Sequence, residues 1–171
     1  VNFPNLSELL KSDFITKLMI LILDSLKNED EIVNILGYRI ACNLFNHGLA
    51  IPFLTEKRDD FFNLMTNRME SKNDKLRSSI ISLIFNYSIL LYNTSFDDTK
   101  GQLVEISSVF LENEDQVANV NNLLISIANI AHHSNENMNI IKDLGIKDTI
   151  LKLKNGNDVI TELKEFFKNS L

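Results

Sequence analysis

The sequence predicts an all-α fold, a right-handed solenoid of about three and a half helical repeats, and three observations predict it. Five Gly and two Pro punctuate 171 residues, too few for a sandwich that turns every ten residues or for a collagenous chain. Asn43, Asn86 and Asn129 recur at intervals of 43 residues. Each is flanked by the same kind of apolar residue. Five before stand Tyr38, Ile81 and Leu124, and two before stand Ala41, Ile84 and Ile127. One before stand Cys42, Phe85 and Ala128, and one after stand Leu44, Tyr87 and Ile130. Asn makes up 22 of the residues, so the spacing carries weight only with those flanks. Together they trace one stripe at the 3.6-residue period: a buried helix that recurs three times with an amide in the same place.

Taken in order, the first unit opens with a helix on Leu18, Leu21 and Ile22, and the second with Phe61, Leu64 and Met65, 43 residues on. In the third, Ile106, Val109 and Phe110 come two residues late, a slip that a loop of different length explains. The Asn-bearing helices are expected over 30–46, 74–92 and 114–131. Lys72-Asn-Asp74 and Glu112-Asn-Glu-Asp115 cap the second and third, placing carboxylates at the positive end of each helix. Asn93 to Asp98 reads as an exposed loop. Gly145 ends a helix in a backbone conformation that Cβ penalises. Asn155-Gly-Asn157 is a second stop, before a closing helix over 158–169 whose apolar face holds Val159, Ile160, Leu163, Phe166 and Phe167. A period near 43 made of helices falls in the armadillo/HEAT range. Ser126-Ile-Ala-Asn-Ile-Ala131, followed by Asn137, Ile141, Gly145, Ile150 and Leu153, is similar to the armadillo pattern.

Composition bounds the function. At 44% hydrophobic, residues 1–171 make one domain, and Val1 in place of Met reads as the start of a piece of a longer protein. A net charge of −6 argues against nucleic acid as a partner. Arg39, Arg58, Arg68 and Arg77 all fall in the first half, which leaves room for a local basic surface. The apolar run Leu18–Leu23 is too short to span a bilayer, so no membrane partner is expected. Cys42 has no second cysteine to pair with, lies in the apolar stripe and suits a reducing compartment. His132-His133 has no further ligand at metal spacing, and neither a phosphate loop nor a nucleophile elbow occurs. No catalytic site, metal or cofactor is expected, and the eleven Phe read as core.

An amide inside an apolar helix needs partners or costs about 1–3 kcal/mol. Either each Asn bonds the neighbouring repeat and ties the stack together, or the amides line a concave groove and bond an extended peptide. Arg39 lies four residues before Asn43, and His47 and His133 lie four after Asn43 and Asn129, on the same helical stripe. Lys75, eleven before Asn86, falls near that face, whereas Arg77, nine before it, points away on a regular helix. A stripe of Asn, Arg, His and Lys suits a ligand with backbone amides and negative charge.

Three stretches resemble the PUL domain, the C-terminal armadillo-type domain of the phospholipase-A-2-activating-protein family. They are Ala41-Cys-Asn-Leu-Phe-Asn-His47, Phe53-Leu-Thr-Glu-Lys-Arg-Asp-Asp60, and Lys75-Leu-Arg-Ser-Ser-Ile-Ile-Ser-Leu-Ile-Phe-Asn-Tyr-Ser88, in the family's order and at its distances. The resemblance covers about residues 30 to 170. A full PUL domain carries more repeats than are visible here. The resemblance implies a non-catalytic adaptor module of the cytoplasm and nucleus. Its partner would be the short acidic C-terminal tail of the AAA ATPase valosin-containing protein, with ubiquitin bound by other domains of the full-length protein. It implies a groove served by Arg39, Asn43, His47, Lys75, Arg77, Asn86 and Tyr87, to which the repeat adds Asn129 and His133. The other reading is a generic armadillo/HEAT scaffold that meets a folded partner through an exposed apolar patch.

Overall fold

The computed structural model describes residues 13–45, 56–94, 97–132, 134–154 and 156–171. Among them are nine helices and no strand, as the sequence predicts: α1 (Asp13–Leu26), α2 (Glu31–Phe45), α3 (Arg58–Thr66), α4 (Asp74–Leu91), α5 (Asp98–Asn113), α6 (Val117–Ala131), α7 (Asn135–Asp143), α8 (Lys147–Lys152) and α9 (Asp158–Ser170). The three Asn-bearing helices are α2, α4 and α6, with ends within three residues of those expected. The chain divides into two compact units, the first ending at Leu83 and the second running Ile84–Leu171, so the boundary falls inside α4.

In the first unit α1 buries Ile15, Met19, Ile22, Leu23 and Leu26, a stripe at helical spacing, against α2. At Gly37 the two helices lie in close contact, for a Cβ there would collide with Ser25 Oγ and meet Leu26 Cδ2 at 3.0 Å. Glu31, in the first turn of α2, joins one repeat to the next. Its carboxylate accepts from Ser71 Oγ (3.2 Å) and Asn73 Nδ2 (2.7 Å), in the turn that leads into α4. Arg68 Nη2 donates to the Asn28 carbonyl across the same turns at 3.1 Å. Asn73 also begins α4, its Oδ1 accepting from the Lys75 and Leu76 amides at 3.1 and 3.3 Å.

In the second unit α5 packs on α6, and α6 on α7 and α9. Asp97, Ser134 and Asn157 supply N-caps that accept from the amides of Lys100, Asn137 and Ile160. Glu114 turns the chain into α6, its Oε1 accepting from the Asp115 and Gln116 amides. Asn137 Nδ2 donates to the Ile130 carbonyl at 3.0 Å and closes the end of α6. Gly145 has φ +71, the left-handed conformation expected of it. The loop read as exposed is anchored from within. Lys100 is fully buried and its Nζ donates to the Thr94 carbonyl, which no periodicity announced.

Burial repeats with the sequence. The residues five and two before each Asn (Tyr38, Ile81, Leu124; Ala41, Ile84, Ile127) are completely buried, and those one before are half-buried. A third core position lies two after each Asn, occupied by Phe45, Ser88 and Ala131. In the opening helices one expectation is corrected. Ile22, Met65 and Phe110 are buried, but Leu21 is 65% exposed and Val109 40%, with Leu64 half-buried. The middle member of each set sits about 100° from its neighbour around the helix, at the rim of the apolar face. In the closing helix Ile160 and Phe167 are buried, whereas Val159 and Phe166 are exposed.

Repeat stacking shows in the polar contacts. Cys42 Sγ lies 3.9 Å from the Ser79 carbonyl, so α4 covers its Ser79 side with the preceding repeat, and Ser79 and Leu83 are buried. The matching residues 43 earlier, Leu36 and Ile40, are exposed, as are Ile32 on α2 and Phe14, Ile20 and Leu21 on α1.

Candidate functional site

The face around each recurring Asn can be built from helical geometry. At 100° per residue, positions eleven and four before the Asn and three after it fall within about 60° on one side of it. On α2 these are Ile32 and Arg39, both exposed, beside exposed Asn43. On α4 they are exposed Lys75, half-buried Ser82 and exposed Ile89, beside half-buried Asn86. On α6 and just past it they are exposed Ala118, half-buried Ile125 and exposed His132, beside half-buried Asn129. Arg39 with Asn43, and Lys75 with Asn86, thus share helix faces. His47 and His133 lie outside the described residues.

Two residues expected in the groove sit elsewhere. Arg77 is on the side of α4 opposite Asn86, where its side chain is 17% exposed. Its Nη1 donates to the Ser71 carbonyl at 2.8 Å and its Nη2 to Asp74 Oδ1 at 2.7 Å, so the guanidinium holds the turn before α4. The residue 43 positions earlier works the same way. Asn34 Nδ2 donates to the carbonyl of Asn28, six residues back, at 2.9 Å. The helical wheel, which turned Arg77 away from Asn86, describes its position. Tyr87 lies about 100° from Asn86 and is buried with the core.

Asn129 serves the stack directly. Its Nδ2 donates to Ser88 Oγ at 3.0 Å, linking α6 to the preceding Asn-bearing helix within the second unit. One turn on, Tyr92 Oη pairs with His132 Nδ1 at 2.9 Å, the rings stacked with centroids 5.6 Å apart. The pairs 88/129 and 92/132 advance together, so the two helices run parallel. Here position +2 of one repeat, Ser88, receives the Asn of the next, a link that the hydroxyl discloses once the repeat is aligned. The bond occupies one N–H of the amide, which leaves Asn129 half-buried on the shared face. Beyond His132 opens a hollow of about 340 Å³, also walled by Met138 and Phe166.

Among the described residues no three His, Cys, Asp or Glu side chains gather to hold a metal, and no helix is long and apolar enough to cross a membrane. The arrangement offers exposed cations, amides and apolar side chains at helical spacing, which is chemistry for binding. Against known families, the model of the PUL domain matches residues 2–168. The chain belongs to the PUL domain family. PUL is a helical protein-interaction domain and not a known catalytic one. No curated protein matches this chain.

Proposed function

We propose that this PUL domain is a non-catalytic adaptor module that captures the acidic C-terminal tail of a valosin-containing-protein-type AAA ATPase, in ubiquitin-dependent protein degradation. Other domains of the full-length adaptor bind ubiquitin, and it works in the cytoplasm and nucleus. The observation that carries the reading is exposed Arg39 one turn from exposed Asn43 on α2. The first offers a charged fork for carboxylates, and the second an amide for the backbone of an extended peptide. Lys75 adds a second exposed cation at the start of α4. Calorimetric titration with a synthetic acidic tail peptide tests it. Arg39→Ala weakens binding about tenfold, the low end for a hydrogen bond to a charged group, because the site is open to water. No heat of binding to the intact domain would refute the proposal.

A second reading has one specific observation in its favour. Phe14, Leu21, Ile32, Leu36 and Ile40 leave α1 and α2 with exposed apolar faces, as a scaffold for a folded protein partner would have. Leu21→Ser, at a 65% exposed position of α1 away from Arg39 and Asn43, separates the two readings: it weakens capture of a folded partner and leaves the acidic peptide bound.

A further inference from the structure

The helices that carry Asn86 and Asn129 are poor in charge. Residues 78–93 of α4 and its end, and all of α6, carry no charged side chain. The second unit as a whole is acidic, with seven basic against twelve acidic residues from Ile84 to Leu171. Carboxylates on a ligand are therefore repelled by this unit's field and find no cation on its amide helices. What those helices do present is apolar and fixed. Ile89 is 49% exposed, and Ile125 is half-buried one turn before Asn129. The two flank the Asn129–Ser88 bond, which together with the stacked Tyr92–His132 pair holds this part of the surface in place before anything binds.

We infer that the amide face of the second unit binds an uncharged, apolar stretch of the captured peptide. Branched side chains rest on Ile89 and Ile125, and the backbone is held by Asn86 and Asn129. The inference rests on the reading of the domain as a peptide-capture module and adds the composition of the stretch that the second unit takes: neutral and apolar. Extended-peptide recognition works this way, with backbone bonds common to all sequences and side-chain seats that select among them.

The experiment uses three fluorescent synthetic peptides of equal length in anisotropy titrations: one acidic throughout, one acidic with two leucines, and one acidic with two serines in their place. The leucine peptide is expected to bind about five- to tenfold more tightly than the serine peptide, the ratio for half-burying one branched side chain. Raising the salt weakens all three but preserves that ratio, because burial of apolar surface is not screened. Ile89→Ser and Ile125→Ser, at sites with little or partial burial, abolish the leucine advantage. Equal binding of the leucine and serine peptides, with Arg39→Ala weakening both, would overturn the inference and leave the capture reading standing. Binding of none of the three would overturn both.

Discussion

Replacing Arg77 by alanine separates a turn-holding arginine from a ligand-holding one. Its Nη1 bond to the Ser71 carbonyl joins a charged donor to a neutral acceptor at 2.8 Å, a class worth about 1.5–3 kcal/mol. Ser71 is only half-buried, so water re-solvates part of its carbonyl and the low end applies. The ion pair with Asp74 adds little, since Asp74 is 66% exposed and such pairs contribute about 0.2–1 kcal/mol. Alanine regains a few tenths in helix propensity. The net loss is about 1.5–2 kcal/mol, which for a chain of this length lowers the melting temperature by roughly 3–8 °C. Arg77→Lys recovers only part of it, because an ammonium cannot span both acceptors as the planar fork does. The assay pairs urea or thermal denaturation with titration of the acidic peptide. Arg77→Ala should lose stability and keep its affinity, and Arg39→Ala should do the reverse. Unchanged stability with lost peptide binding in Arg77→Ala would refute the assignment.

Three further outcomes follow from particular contacts. Gly37→Ala should destabilise the domain by about 1 kcal/mol by denaturant titration despite alanine's better helix propensity, and Ser25→Ala in the same chain should recover most of that, because the new Cβ collides first with Ser25 Oγ. Asn129→Ala should cost about 0.5–1 kcal/mol; Ser88 keeps its bond to the Phe85 carbonyl, and a double-mutant cycle with Ser88→Ala should show the coupling. Burial holds the Tyr38 phenol above its ordinary range, against a smaller opposing influence from Arg68, and its hydroxyl meets no partner among the described residues. The unfolded chain releases that proton near pH 10 and the native state does not, so wild-type stability should fall as pH rises past that value, while Tyr38→Phe should be neutral or stabilising at pH 7 and escape the fall. Burial acts on Lys100 with the opposite sign. It lowers the ammonium's pKa, with Asp97 opposing, so the unfolded chain holds more protons and stability should climb with pH up to about 10.5, a rise that Lys100→Met should lack.

Local pattern made much of the fold legible. The 43-residue spacing located α2, α4 and α6 and the buried positions five and two before each Asn, because a helix buries one stripe and the stripe is written in sequence. What the pattern could not show is which flank of a helix the next repeat covers. Leu21 and Ile22 look alike in an apolar run, and only the packed neighbour exposes one and buries the other. Lys100 is polar in sequence, yet its stem crosses the core to the Thr94 carbonyl, and Asn34 and Arg77 likewise hold turns six residues behind them. Of the proposed binding face, Arg39, Asn43, Lys75, Asn86 and Asn129 are readable from spacing. Ile89 and Ile125 are not, because an isoleucine in an apolar helix reads as core until its neighbours are in place. Ser88 carries a signal of its own: it stands where Phe45 and Ala131 stand in their repeats, and a hydroxyl at a core position requires a partner.

The most direct measurement is an NMR titration of the isotope-labelled domain with the acidic tail peptide, following backbone amide signals together with side-chain amide and guanidinium signals. Shifts should gather on the Asn43, Asn86 and Asn129 amides and the Arg39 Nε, with the Arg77 Nε little moved. Shifts confined to Phe14 and Leu21 on α1, or none at all at saturating peptide, would show that the amide face is not the ligand's seat.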